Sequence, residues 1–242
     1  RALEAFRKST GLDLHAMGEL EFFLLSPVDS PLYPHPKASG YHGSAPYIKG
    51  GAVLNEMVRL ITQITGAVKY AHSENGVIDS VRSDEPEISG KRAEQLEIEY
   101  LTRPADETAD SLVIGRWIIR NTAFRHGCVA TFTPKIEEGV AGSGLHIHLD
   151  LVRGGKSVLT GAAGELSDEA RKLIGGLCEY ADSLTAFGNT VSSAYLRLVP
   201  NQEAPTRICW SSLNRSAMIR VPLGWSGLSN LARRVNPQER TD

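Results

Sequence analysis

Three short motifs carry the chemistry of this sequence: Glu19-Leu20-Glu21, Glu97-Ile98-Glu99 and His146-Ile147-His148, each inside a run that alternates apolar and polar residues. Side chains two apart on a strand point to the same face, so each pair presents its polar groups together. Like charges at that spacing raise each other's pKa and call for a countercharge. Carboxylates from two strands with imidazoles from a third therefore describe a candidate divalent-metal cluster. Oxygen-dominated ligation with a single imidazole suits magnesium or manganese better than zinc, which prefers sulfur and nitrogen. The competing reading is the solvent face of an amphipathic sheet, the usual meaning of a lone ExE. A second group is basic: Arg197, Arg207, Arg215 and Arg220, interleaved with Pro200, Pro205 and Pro222. Guanidinium forks held in rigid turns suit carboxylate or phosphate recognition; the plainer alternative is surface arginines paired with nearby acids. Metals and convergent arginines together would serve phosphoryl transfer from a nucleotide.

The elements that must position these groups follow from periodicity. Residues 15–25 read as a strand with Glu19 and Glu21 on one face, followed by a long loop over 26–48. A helix is predicted over 49–65, with Val53, Met57, Val58, Ile61 and Ile64 on one apolar face. A strand over 67–73 delivers Glu74 at its end, and the polar stretch 75–94 reads as an exposed excursion. The strand QLEIEYL hides Leu96, Ile98 and Tyr100. A helix over 105–126 contains Leu112, Ile114, Trp117, Ile118 and Phe124, with Gly127 as its C-terminal cap. Strands follow at 128–133 and over LHIHLDL, then a helix from a Ser167 cap to about Gly188. Residues 191–222 mix extended segments with Arg-rich turns. No GxGxxG or GxxxxGK[ST] occurs, so a Rossmann site and a P-loop are both excluded. The expected fold is α+β, built on a mostly antiparallel sheet.

Bulk properties narrow the field further. A length of 242 residues fits one large domain or a domain with an appendage, and 41% hydrophobic content supports a substantial core. The net charge is −2 and the basic residues are scattered, which argues against nucleic-acid and membrane partners. Cys128, Cys178 and Cys209 form no CxxC, so a reducing, cytoplasmic location is expected. No apolar stretch approaches the roughly 18 residues that span a bilayer. The chain begins at Arg1 rather than Met, consistent with a piece of a longer protein whose upstream segment, a signal peptide included, is not seen here.

The segments GELEFF, HGCVATFTPKIEEGVAGSGLHIHLDL and YLRLVPNQEAPTRICWSSLNRSAMIRVP resemble the catalytic domain of glutamine synthetase, in order and over nearly all of residues 1–242. The resemblance implies a curved antiparallel sheet with flanking helices and a funnel-shaped site holding two Mg2+ or Mn2+ ions. It implies that Glu21, Glu74 and Glu97 hold the cation nearer glutamate and ammonia, and that Glu19 and His146 hold the one bridging the ATP phosphates. Arg197 would grip the substrate α-carboxylate and Gly142 would contact glutamate through the backbone. Glu203 would be the flap glutamate that shields the intermediate and helps bind ammonium. Arg215 and Arg220 would face the ATP phosphates, His148 would lie near the nucleotide, and Glu99 would be structural.

The implied reaction is ATP-dependent ligation of ammonia to the glutamate γ-carboxylate through γ-glutamyl phosphate, in a homo-oligomeric ring. Two other readings remain open: a γ-glutamyl ligase using a polyamine or ethanolamine type of acceptor, and a non-catalytic relative acting in assembly. Three departures bear on these: Ala141 stands where an Asn is common, Asp150 where a Ser is common, and Ile136 where a Pro is frequent. Family members also begin with a small β-rich domain and continue past Asp242 with an ExR strand, which would complete the second metal site. Alone, this stretch is expected to show little or no activity.

Overall fold

The computed structural model describes residues 1–27, 32–35, 39–162, 164–200, 204–212, 214 and 216–222. The chain divides into two compact units, Arg1–Gly154 and Gly155–Asp242. The first runs α1 (Ala2–Thr10), β1 (Asp13–Ser26), α2 (Gly51–Thr65), β2 (Val68–Ile78), β3 (Arg92–Tyr100), β4 (Arg103–Pro104), α3 (Ala105–Arg125), β5 (Val129–Thr131) and β6 (Leu145–Arg153). The second contains β7 (Lys156–Ser157), α4 (Asp168–Glu179), α5 (Ala181–Gly188), α6 (Ser192–Tyr195), β8 (Trp210–Ser211) and β9 (Ile219–Arg220).

Long central β1 organises the first unit. Its residues 19–26 pair with β3 and residues 15–16 with β4, while residues 13–20 pair with β6 and residues 23–25 with β5; β2 pairs with the other edge of β3. Every one of these pairings is antiparallel, as the patterning predicts. Leu20, Phe22, Leu24, Leu96, Ile98 and Tyr100 form one apolar face, which buries against Leu54, Met57 and Ile61 of α2 and Ile118, Ile119 and Ala123 of α3. Phe23, Leu25, Ala93, Ile78 and Val81 form a second, smaller core. Helix α2 brings no capping side chain of its own. The amides just ahead of it are taken by Glu94 of β3, whose carboxylate accepts from Lys49 N at 2.9 Å and from Gly50 N, the N-cap residue, at 2.7 Å. Those bonds tie the start of the helix to the strand carrying Glu97, with the carboxylate's charge near the positive end of the helix.

Helix α3 approaches the sheet through a residue without a side chain. A Cβ at Gly115 would overlap the Tyr100 hydroxyl. Gly115→Ala is therefore expected to destabilise the fold by about 1–3 kcal/mol, seen as a lower urea midpoint with an unchanged slope.

Several expected elements differ in extent or orientation. Trp117 and Phe124 of α3 are 64% and 81% exposed, and Ile64 of α2 is exposed too. The buried face of α3 instead uses Thr108, Ser111, Gly115, Ile118, Ile119, Thr122 and Ala123, so small and polar residues take positions that hydrophobicity alone assigns to larger ones. The expected excursion shortens to 79–91, because Val77 and Ile78 continue β2 by pairing with Glu94 and Ala93. Glu74 consequently lies inside β2, at a register shift between Ser73 and Val77, rather than at a strand end. Strand β5 is shorter than expected.

Helix ends behave largely as the capping residues predict. Ser167 Oγ accepts from Ala170 N at 3.1 Å, but the helix it starts breaks at Tyr180 into α4 and α5. Gly127 follows α3 with φ +68, and its N–H donates to Phe124 O at 3.0 Å. Residues 192–195 form a short helix where an extended segment was expected. The cysteines are free, and no helix among the described residues is long and apolar enough to cross a membrane.

Candidate metal centre

Strand register, not sequence proximity, assembles the site. One lateral row crosses the sheet as Tyr70, Glu99, Glu19 and His146; the next runs His72, Glu97 and Glu21. Directly paired residues share a face, so the two rows form one polar patch. It is not a solvent face: Glu21, Glu97 and Glu99 are 8%, 5% and 5% exposed. The carboxylates of Glu21, Glu97 and Glu99 therefore lie together inside the protein rather than on a solvent face.

Glu19 is the hub of one half. His146 Nδ1 donates to its Oε2 at 2.9 Å and His148 Nε2 to its Oε1 at 2.7 Å. Burial opposes its charge, but these two hydrogen bonds outweigh burial and hold its carboxyl well below the usual range. His148, placed near the nucleotide by resemblance, thus also orients a candidate metal ligand. Donor atoms of Glu19, Glu97 and His146 all lie within 4.8 Å of one another. Glu21 uses Oε2 to accept from Gln95 Nε2 and from Gly144 N, both at 2.8 Å, while its Oε1 lies 3.8 Å from His146 Nδ1.

Charge across the patch is unbalanced. Burial, then the negative charges of Glu97 and Glu21, push Glu74 up to about 8. Glu97 Oε1 is buried without a hydrogen-bond partner. In the neighbouring half, burial opposes the charge of His72, but the adjacent Glu97 and Glu99 carboxylates lift it to about 10. An oxygen-rich, under-neutralised set with one imidazole is the donor chemistry of Mg2+ or Mn2+. These residues fit such a cation.

The remaining expected residues are placed unevenly. Gly142 is buried in the loop before β6, and its carbonyl accepts from Gln95 Nε2 at 3.1 Å. Arg197 and Arg220 belong to the second unit. Arg197 is half-buried after α6, and Arg220 is exposed in β9 opposite Ser211. Glu203 and Arg215 lie outside the described residues.

Comparison with known proteins gives this geometry a lineage. The family model for the glutamine synthetase catalytic domain matches residues 1–236. The chain belongs to the glutamine synthetase catalytic-domain family. It is 35% identical over 226 residues to glutamine synthetase of Thermus thermophilus, covering 92% of this chain and 47% of that protein. Against the Pyrococcus horikoshii glutamine synthetase it is 33% identical over 225 residues, with 93% and 47% covered. Among solved structures, Plasmodium falciparum glutamine synthetase superimposes with TM-score 0.74 at 26% identity, covering 90% of this chain and 46% of that one. Apo GmaS superimposes with TM-score 0.71 at 25% identity, covering 90% and 48%. The α+β fold with a curved antiparallel sheet and flanking helices is the catalytic-domain fold of this family. The chain spans about half the length of the curated relatives it matches.

Sequence reasoning passed over residues that hold this site together. Gln95 is 2% exposed and joins Glu21 and the Gly142 carbonyl through Nε2, while its Oε1 accepts from Gly76 N at 2.9 Å. A Cβ at Gly76 would collide with that oxygen, so the glycine is what allows the approach. The available signal was spacing: Gln95 shares a strand face with Glu97 and Glu99. Ser73 anchors the loop before α2; its Oγ donates to Gly40 O at 2.6 Å and accepts from Gly43 N at 2.9 Å.

Proposed function

We propose that the protein of which these residues form the catalytic domain, residues 1–242, is an ATP-dependent carbon–nitrogen ligase that makes glutamine from glutamate and ammonia. The observation that supports this reading most is the patch of Glu19, Glu21, Glu74, Glu97 and His146 in a glutamine synthetase-family chain, with Glu21 and Glu97 buried within it. A scaffold has no use for that concentration of uncompensated charge.

In this reading Glu21, Glu74 and Glu97 hold one divalent cation, and Glu19 and His146 hold a second. Magnesium or manganese there would neutralise the phosphate oxygens of ATP and polarise the transferred group. Arg197 forks onto the glutamate α-carboxylate and the Gly142 loop fixes the substrate backbone. The γ-carboxylate oxygen attacks the terminal phosphorus and the bond to the ADP oxygen breaks. Arg215, Arg220 and His148 steady the nucleotide phosphates while this happens. Ammonia then attacks the acyl carbon of γ-glutamyl phosphate, the C–O bond to phosphate breaks, and glutamine and inorganic phosphate leave. Glu203 covers the intermediate against water and draws ammonium by its charge. Assembly into a homo-oligomeric ring in the cytoplasm, without nucleic acid or membrane, completes the proposal.

A second acceptor has one observation in its favour: Ala141 removes an amide donor beside the glycine that would touch glutamate. Phosphate release by the full-length protein with ATP, magnesium and glutamate, comparing ammonium with a panel of amines, separates the two. Ammonium-dependent release is expected, lowered about a hundredfold by Glu203→Ala. Release only with a larger amine moves the protein to the other ligase branch, and no release with any acceptor sinks the catalytic reading.

A further inference from the structure

We propose that the outer face of α3 pairs with the same face of a second copy of this chain, antiparallel about a two-fold axis. Asp106, Asp110, Val113, Trp117, Arg120 and Phe124 follow one another at alternating steps of four and three residues, so they form one stripe along the helix. All six are exposed, Val113 to 68%. The opposite face of α3 is the one that meets the core, through Ile118, Ile119 and Ala123.

The order of residue types along the stripe carries the argument. Acids stand towards the N-terminal end, Val113 and Trp117 in the middle, and Arg120 and Phe124 towards the C-terminal end. Turned end for end about a two-fold axis through the middle, the stripe matches itself. Asp110 meets Arg120 of the other copy and Val113 meets Trp117, each contact occurring twice, with Asp106 and Phe124 at the rim. A stripe that complements itself specifies a second copy of the same chain rather than an unrelated partner. The charged groups are available for it. Asp106 and Asp110 have no ion-pair partner among the described residues, and Arg120 meets no carboxylate there; its guanidinium lies 4.9 Å from the Phe132 ring centroid. The helix dipole does not explain the arrangement, since its effect is confined to the first and last turns and Asp110 and Arg120 lie beyond them.

The two kinds of contact have different roles. Exposed ion pairs contribute little by themselves, so the Asp110–Arg120 pairs set direction and register, as charges at interfaces do. Trp117 supplies apolar contact area, and Trp and Arg are the side chains on which interfaces most depend. The alternating spacing suits helices that cross at about 20°. Such a contact closes on itself, so it joins two chains, or two rings, without building the ring proposed above.

Light scattering on the full-length protein tests the contact without reference to catalysis. The assembly mass is expected to fall twofold in Asp110→Arg and in Arg120→Asp, because each reversal sets like charges against each other on both sides of the axis. It should return to the wild-type value in the variant carrying both changes. Within one chain the two residues stand about 15 Å apart along the helix, so this rescue requires a second chain. Trp117→Glu should halve the mass as well, with far-UV circular dichroism unchanged. Single reversals at the wild-type mass, or a double variant that stays at half of it, overturn the proposal. So does Trp117→Glu at the wild-type mass; a lower thermal midpoint beside it would put another part of the same chain over this face.

Discussion

Glu19→Gln in the full-length protein lowers glutamate- and ATP-dependent phosphate release by about three orders of magnitude, the loss expected when several kcal/mol of metal-borne charge stabilisation goes. The reason is local. Glu19 accepts from His146 and His148 together, so an amide in its place leaves one donor facing an NH2 and removes the negative charge that holds both rings. Thermal unfolding with and without Mn2+ checks the cause: the stabilisation that the ion confers on wild type shrinks in the variant. A variant that keeps a tenth of wild-type turnover would show that Glu19 is no metal ligand.

Gln95→Leu has the second-largest expected effect, although Gln95 is a positioning residue that the proposed reaction never touches. Leucine takes the Gln95 partner from Glu21 Oε2, from the Gly142 carbonyl and from Gly76 N–H. Each buried group so orphaned costs about 1–3 kcal/mol, and loss of such outer support weakens metal affinity about 10–100-fold. Gln95→Glu separates position from stability. It keeps an acceptor for Gly76 N–H but sets a second negative charge against Glu21, so the fold is expected to survive better than metal affinity does. Mn2+ titration by calorimetry and a urea midpoint on both variants measure the two effects. Equal affinity in wild type and both variants would remove Gln95 from any role at the metal.

How much of this was legible in the sequence depended on the range of the interaction. Period-two alternation over GELEFF, QLEIEY and LHIHLDL is written into neighbouring residues, and it correctly located β1, β3 and β6. Helical spacing located α2 and α3 for the same reason. The orientation of α3 was not legible: the large apolar Trp117 and Phe124 lie exposed while Thr108 and Ser111 are buried. Hydrophobicity is a local property; which side of a helix meets a sheet is decided by what fits there, and Gly115 against Tyr100 is such a fit.

Residue type and same-face spacing determined which polar pairs share a strand face, Glu19 with Glu21, Glu97 with Glu99 and His146 with His148, and the motif order identified the family. Only the tertiary structure decided that Glu99 lies beside Glu19, that His72 stands opposite Glu97 within reach of two carboxylates, and that Gln95 ties the Gly142 loop to Glu21. Those contacts depend on the register between strands far apart in sequence and on the β2 irregularity after Ser73. A shift of one residue would turn every one of these side chains to the opposite face.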